Sequence, residues 1–253
     1  MLQLFTLAAA LVFVGAACGS DTTNDRTTGL GDVTVFAAAS LTAAFTELGE
    51  AFTAENPGAD VTFNFAASSE LVAQIVEGAP ADVFASADAS NMAKLTDADL
   101  TATEAEVFAS NLMEIIVGPG NPAGITGVAD LANENLIVVV CAPEVPCGQY
   151  AEQVFQAAGV TVTPKSLEEN VKAVVSKVSL GEADAGVVYQ TDVTAAGDKA
   201  SGVDIPADIN VVAQYPIAVT KEAPNVEGAR AFIAFVQSER GQEIIATYGF
   251  LAP

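Results

Sequence analysis

The chain has 253 residues, of which 51% are hydrophobic, enough for one large α/β domain or for two lobes of about a hundred residues each. Asp and Glu outnumber Lys and Arg by 32 to 9, and the resulting net charge of −23 excludes nucleic acid as a partner because it repels phosphates. The sequence contains no histidine, which excludes a Ser-His-Asp triad, a Cys-His pair and any zinc site with histidine ligands.

The N-terminal segment is predicted to be an export signal. Leu2–Ala17 is uncharged and almost wholly apolar, is short for a membrane span, and ends in small residues. Because Cys18 directly follows these small residues, the segment resembles the cleavage box of bacterial lipoproteins, which implies a signal peptide at 1–17 and a lipidated Cys18. Plain secretion and a retained single helix are the alternatives. The polar stretch at 18–31 is then expected to form a flexible tether.

Two segments have the order strand, Ala-Ala-Ser, helix: Val33–Phe45, which contains Ser40, and Val61–Ile75, which contains Ser68. A serine at such a junction commonly caps the free N–H groups of the first helical turn. The same N–H groups, together with the aligned peptide dipoles, also bind anions. Each serine is therefore either a structural cap or a ligand for a small anion. Two uncharged junctions in so acidic a chain favour an anion site built from neutral donors.

The middle of the chain supplies further candidates. Cys141 and Cys147 lie in a proline-rich loop, where an exported protein favours a disulfide, with two reduced thiols as the alternative. The backbone N–H groups at Cys147 and at Val171 begin helices and would lack partners within the helix. Tyr189 ends a buried strand, so its phenol either points into a cleft or belongs to the core with its hydroxyl satisfied locally.

From Val33 onward, short apolar strands alternate with helical stretches, which is typical of parallel sheets with helices on both faces. Right-handed crossovers then place the strand ends and the following helix starts along one edge, where ligands bind. The strands are predicted at Val33–Ala37, Val61–Phe65, Val83–Ala85, Leu112–Val117, Leu136–Val140, Gly186–Tyr189 and Ile217–Val219. The helices are predicted at Leu41–Glu55, Ser69–Glu77, Asn91–Leu95, Gly148–Gly159, Val171–Gly181, Asn225–Gln237 and Ser238–Tyr248.

Two central segments, Asn111–Val117 and Val211–Thr220, are candidates to cross between two lobes. The first lobe would then contain both chain ends, at 32–112 and 214–253, and the second lobe would contain 113–213. The expected fold class is α/β, with each lobe a mostly parallel sheet flanked by helices and the ligand in the cleft between the lobes.

Six motifs between Asp32 and Pro253 resemble the periplasmic molybdate-binding proteins of ABC transporters. They are VTVFAAASL, FAASSELVAQIVEGAPADVFASAD, PEVPCGQYA, EENVKA, DAGVVYQTD and IATYGF, in this order. The resemblance implies the two-lobed fold of periplasmic binding proteins and a tetrahedral oxyanion held by two hydroxyls and several backbone N–H groups, without cations. Matched motif by motif, it implies that Ser40 and Ser68 are the hydroxyl ligands, that Cys147 and Val171 donate backbone N–H groups, and that Tyr189 donates its phenol.

The same resemblance implies a monomeric receptor, not an enzyme, that needs no cofactor. It would bind molybdate or tungstate, deliver the anion to an ABC transporter permease, and be periplasmic or lipid-anchored at the outer face of the cell membrane. A receptor for sulfate, thiosulfate or another oxyanion is the first alternative. A ferric receptor is disfavoured, since Tyr189 has no tyrosine neighbour in the sequence.

Two alternatives from other classes stay open. An exported enzyme would pair Ser40 or Ser68 with Lys94 or Lys165, although neither junction has the Ser-x-x-Lys spacing. A structural adhesion module would need repeats, which the sequence does not show.

Overall fold

The computed structural model describes residues 29–253. The predicted signal peptide, the lipidated Cys18 and most of the predicted tether lie outside the described residues. The first strand begins at Gly31, the last residue of the predicted tether. Among the residues described, no helix has both the length and the apolar composition that a bilayer-spanning segment needs.

Strands and helices alternate along the described chain. The strands are β1 (Gly31–Ala38), β2 (Ala59–Ala66), β3 (Val83–Ala85), β4 (Glu106–Val117), β5 (Val138–Cys141), β6 (Ser166–Glu168), β7 (Ala185–Tyr189), β8 (Ser201–Asp204) and β9 (Val212–Val219). The helices are α1 (Thr42–Glu55), α2 (Ser68–Val76), α3 (Ala89–Asp97), α4 (Pro146–Ala157), α5 (Val171–Ser179), α6 (Gln190–Ala196), α7 (Val226–Gln237) and α8 (Glu239–Thr247), and a short 3-10 segment, Ala39–Leu41, leads into α1. Each predicted helix agrees with an observed one to within two residues at either end.

The strands form a continuous sheet in the order β2-β1-β3-β9-β4-β7-β5-β6, with β8 beside β4. At one end β1 pairs in parallel with β2 and β3, and at the other β5 pairs in parallel with β6 and β7. In the centre β9 is antiparallel to β3 and β4, and β4 is antiparallel to β7 and β8. The mostly parallel pattern that the sequence predicts therefore holds at both ends, and two long antiparallel strands join them.

The long strand β4 changes its partner halfway along. Its first half, Glu106–Leu112, pairs with β9, and its second half, Met113–Val117, pairs with β7. The predicted strand, Leu112–Val117, was too short. The first half was missed because EVFASN has little apolar alternation, although Phe108 and Ala109 within it are fully buried. The predicted lobe limits at 112/113 and 213/214 stay a prediction.

Three short elements were missed by the sequence analysis. Strands β6 and β8 have three and four residues and are partly exposed, and α6 has seven residues that follow β7 without a linker. Segments so short carry too few apolar positions to define a period.

A cluster of phenylalanines fixes α1 and α7 on the sheet. The Phe45 and Phe108 ring centroids lie 5.5 Å apart, and those of Phe52 and Phe232 lie 5.4 Å apart. All four side chains are essentially buried. Truncating such a ring to alanine costs about 3–5 kcal/mol of stability. This packing holds the N-terminus of α1, and with it the 3-10 segment that carries Ser40, at the edge of the sheet.

Candidate anion-binding site

The structure brings all five predicted site residues to one cavity. Its volume is about 10 Å³, close to that of one water-sized sphere and far below the range of roughly 300–1,000 Å³ usual for drug-sized ligands, so it suits only a small solute. In the described chain, no ionisable carboxylate or basic side chain lines it. The lining residues are Ala38, Ala39, Ser40, Ala67, Ser68, Ala87, Val145, Pro146, Cys147, Asn170, Val171 and Tyr189.

Helix starts converge on this cavity. Ser40 lies in the 3-10 segment before α1, Ser68 is the first residue of α2, Cys147 is the second residue of α4, Val171 is the first residue of α5, and Tyr189 directly precedes α6. The N-terminus of α5 packs against the 3-10 segment that carries Ser40. Unpaired N–H groups and positive dipole ends therefore point toward a common centre, which favours a bound anion.

The Ser40 hydroxyl is held by a tyrosine. Ser40 Oγ lies 3.0 Å from the hydroxyl oxygen of Tyr215, and both residues are buried. Within residues 29–253, Ser40 Oγ makes this hydrogen bond and none to the N–H groups at the start of α1. The interpretation of Ser40 as a helix cap is therefore wrong. Tyr215 was missed by the sequence analysis, because a tyrosine inside the apolar run VVAQYPIAV looks like an ordinary core residue.

The Ser68 hydroxyl also has a hydrogen-bond partner outside its own helix. Ser68 Oγ accepts a hydrogen bond of 3.0 Å from the backbone N–H of Ala87. The N-cap position of α2 is Ala67, so the interpretation of Ser68 as a cap is also wrong. Since an N–H group can only donate, the single proton of the Ser68 hydroxyl is left for another acceptor. The alanines beside both serines leave room for a ligand to approach the backbone.

Two backbone donors come from the starts of α4 and α5. In the described part of the chain, the N–H groups of Cys147 and Val171 have no hydrogen-bond acceptor. At α5 the side chain of Asn170 accepts the N–H of Ala173, which leaves the Val171 N–H free. At α4 a disulfide joins Cys147 to Cys141, with their Cα atoms 5.7 Å apart.

Tyr189 contributes a hydroxyl without a protein partner. Its side chain is 1% exposed, and within residues 29–253 its hydroxyl makes no hydrogen bond. The interpretation of Tyr189 as a core residue with a locally satisfied hydroxyl is therefore wrong. Burial, followed by the neighbouring Tyr215, raises its pKa well above the usual value, so the phenol stays a neutral donor. An unpaired buried hydroxyl costs about 1–3 kcal/mol, which a hydrogen-bonded anion would recover.

The lysines considered for an enzyme lie elsewhere. Lys94 Nζ donates to Asn91 Oδ1 at 2.9 Å, and neither Lys94 nor Lys165 belongs to the lining of the cavity. Neither Ser40 nor Ser68 therefore has a lysine that could remove its proton. The arrangement can bind an anion, but it contains no activated nucleophile.

An α/β fold with a small cavity lined by neutral donors fits a protein that binds a small solute. Residues 33–251 match the family described as bacterial extracellular solute-binding protein. The chain is 43% identical to the molybdate-binding protein ModA of Mycobacterium tuberculosis, over 98% of this chain and 97% of that protein. The chain therefore belongs to the family of bacterial extracellular solute-binding proteins.

Solved structures share the fold. The periplasmic molybdate-binding protein of Azotobacter vinelandii matches with a TM-score of 0.75 at 22% identity, over 87% of this chain and 99% of that chain. The sulfate-binding protein SubI of Mycobacterium tuberculosis matches with a TM-score of 0.80 at 18% identity, over 87% of this chain and 86% of that chain. These likenesses confirm the predicted two-lobed α/β class. Family membership also confirms that the protein is a binding protein and not an enzyme.

Proposed function

We propose that this protein is the molybdate receptor of an ABC transporter, that it also takes tungstate, and that it hands the anion to the permease. The observation that carries the proposal is the convergence of Ser40, Ser68, Cys147, Val171 and Tyr189 on one uncharged cavity. The 43% identity to a molybdate-binding relative over nearly the full chain supports the same ligand.

Neutral donors suit a tetrahedral dianion. An anion that leaves water for a closed cleft loses a large solvation energy unless nearly every oxygen is hydrogen-bonded. Hydrogen bonds to a charged acceptor are roughly twice as strong as neutral ones, and the helix dipoles add to them. Oriented dipoles can therefore balance the charge without a buried cation.

Geometry and protonation would supply the selectivity. An oxyanion that is too small leaves donors unpaired, at about 1–3 kcal/mol for each donor. Hydrogen phosphate carries a proton of its own. In this site that proton would meet other donors, with which it cannot form a hydrogen bond. The site is accordingly expected to prefer molybdate and tungstate to sulfate by size, and to phosphate by protonation.

Closure of two lobes would complete the site. Ser40 and Ser68 come from the chain before β4, whereas Cys147, Val171 and Tyr189 follow it. The change of partner within β4, between Leu112 and Met113, supports a pivot at the predicted lobe boundary. Domain closure around a ligand is the usual motion of periplasmic binding proteins. The monomeric state, the signal peptide and the lipid anchor at Cys18 stay predictions.

Titration calorimetry with molybdate, tungstate, sulfate and phosphate tests the proposal. Tight binding of the first two anions with much weaker binding of the others is the expected result. A sulfate receptor is the second candidate, since neutral donors also suit sulfate. Equal or tighter binding of sulfate would replace the ligand while leaving the receptor class in place.

A further inference from the structure

The two serine hydroxyls in the cavity each have a hydrogen-bond partner on the protein side. Ser68 Oγ accepts from the N–H of Ala87, which can only donate. Ser40 Oγ lies 3.0 Å from the hydroxyl of Tyr215, and either of these oxygens could be the donor. The direction of this one hydrogen bond decides whether Ser40 presents a proton or a lone pair to the ligand.

Burial decides that direction. The Tyr215 side chain is fully buried, and within residues 29–253 Ser40 Oγ is the hydrogen-bond partner of its hydroxyl. If Ser40 donated to Tyr215, the phenol proton would be buried without an acceptor, which costs about 1–3 kcal/mol. If Tyr215 donates instead, the Ser40 proton is free for a ligand in the cavity that Ser40 lines. The second arrangement leaves no buried proton unpaired once an anion is bound.

The proton of Tyr215 is then directed toward Ser40. The phenol has one proton to donate, and its acceptor, Ser40 Oγ, lies 3.0 Å away. Burial keeps the pKa of Tyr215 well above its usual value, so the proton is not lost. Edge-to-face contacts with Tyr189 at 5.8 Å and Phe250 at 5.3 Å hold the ring in place.

We propose that Tyr215 is a positioning residue that determines specificity: it donates to Ser40 Oγ and so makes Ser40 a donor toward the ligand. This inference rests on the proposed oxyanion function. Tyr215, Ser40 and the ligand then form a one-way series of hydrogen bonds that ends in the cavity. Both serine hydroxyls then donate to the ligand. Because donors need acceptors, the class of ligand that fits is a fully deprotonated oxyanion.

A double-mutant cycle on molybdate affinity tests this role. Tyr215→Phe keeps the ring and its packing but removes the proton, so we expect the Kd for molybdate to rise about tenfold. In the Ser40→Ala background, the same change should have no further effect, because Tyr215 acts only through Ser40. Tyr248→Phe is the matched control, since the Tyr248 hydroxyl bonds Glu47 away from the cavity, and it should leave the Kd unchanged.

Two outcomes would overturn the role of Tyr215 while leaving the proposed function in place, provided that the wild-type protein binds molybdate. The first is an unchanged Kd in Tyr215→Phe. The second is a Kd in the double variant that rises by the product of the two single effects. Thermal melting of each variant checks that the fold is retained. A wild-type protein that binds none of the four anions would overturn the proposed function, and this inference with it.

Discussion

Lys172 Nζ lies 2.8 Å from Asp192 Oδ1, and this ion pair joins α5, which begins with Val171, to α6, which directly follows Tyr189. Lys172 follows Val171 at the start of α5, and Asp192 lies in the first turn of α6, three residues after Tyr189. The Asp192 side chain is fully buried, whereas that of Lys172 is 36% exposed. Burial raises the pKa of Asp192, and the charge of Lys172 opposes that rise. The pair thus holds two donors of the cavity in a fixed relation.

Lys172→Met should destabilise the protein by about 3 kcal/mol, because it leaves the Asp192 carboxylate buried without its partner. The double variant Lys172→Met/Asp192→Leu should recover most of that loss, since no charge remains buried. Urea unfolding at neutral pH measures both. A double variant as unstable as the single one would show that the loss comes from packing and not from the unpaired charge.

Ser68→Ala should raise the Kd for molybdate about five- to 150-fold, which corresponds to the 1–3 kcal/mol of one lost donor to an anion. Ser69→Ala is the matched control, because Ser69 is the next residue of α2 and its side chain is outside the cavity lining. Calorimetry on both variants gives the comparison. Equal effects of the two changes would contradict a ligand role for Ser68.

Tyr189→Phe should change stability and affinity in opposite directions. The Tyr189 hydroxyl is buried and makes no hydrogen bond to the described part of the protein, so its removal should raise the free energy of unfolding of the ligand-free protein by about 1 kcal/mol. The same change removes a donor, so the Kd for molybdate should rise. Thermal unfolding with and without molybdate measures both quantities. A variant that is less stable without ligand would return Tyr189 to a purely structural role.

Glu114 makes stability depend on pH. Burial, and then the nearby Asp204, raises its pKa from 4.5 to about 7. Because the folded-state pKa is the higher one, the contribution of Glu114 to stability is complete below pH 4.5 and is lost as the pH rises through 7. Glu114→Gln should therefore stabilise the protein by about 2 kcal/mol at pH 8 and by less than about 1 kcal/mol at pH 5.

Urea unfolding at these two pH values checks the Glu114 prediction. Glu104→Gln is the control, because Glu104 is exposed and the substitution is the same. An identical gain at pH 5 and pH 8 would mean that ionisation of Glu114 is not the cause.

The disulfide should stabilise the loop that carries the Cys147 N–H. Cys141 and Cys147 are six residues apart, and closing so short a loop contributes about 2 kcal/mol in the chain-entropy account. Cys141→Ser/Cys147→Ser should lower stability by about that amount and raise the Kd for molybdate several-fold. Intact mass after alkylation, with and without prior reduction, measures the bond directly. Full alkylation of both cysteines without reductant would show that the thiols are free.

The sequence predicted the positions of the site residues better than their hydrogen bonds. Ser40 and Ser68 lie at strand-to-helix junctions as predicted, because a strand that passes into a helix leaves a local pattern, and their role as ligands stays a prediction. Their roles were open, since a cap and a ligand have the same local pattern. Contacts with Ala87 and Tyr215, which are distant in the chain, decide against the cap at both serines.

The centre of the fold was harder to predict than its ends. The parallel strands β1 and β3 each contain an apolar run, VFAA in β1 and VFA in β3, and the sequence located both strands. The first half of β4 carries polar residues that only tertiary pairing with β9 explains. Tyr215 lies on β9 and has no local signal, so its contact with Ser40 could be found only in three dimensions.

Because every donor in the cavity is neutral, the receptor faces no stranded charge once the anion has left. Water can hydrogen-bond the same N–H and O–H groups, so the protein needs no counter-ion, proton transfer or chemical repair between one delivery and the next. On the proposed function, opening of the cleft and rebinding of an anion are then the only changes that one cycle of the receptor requires.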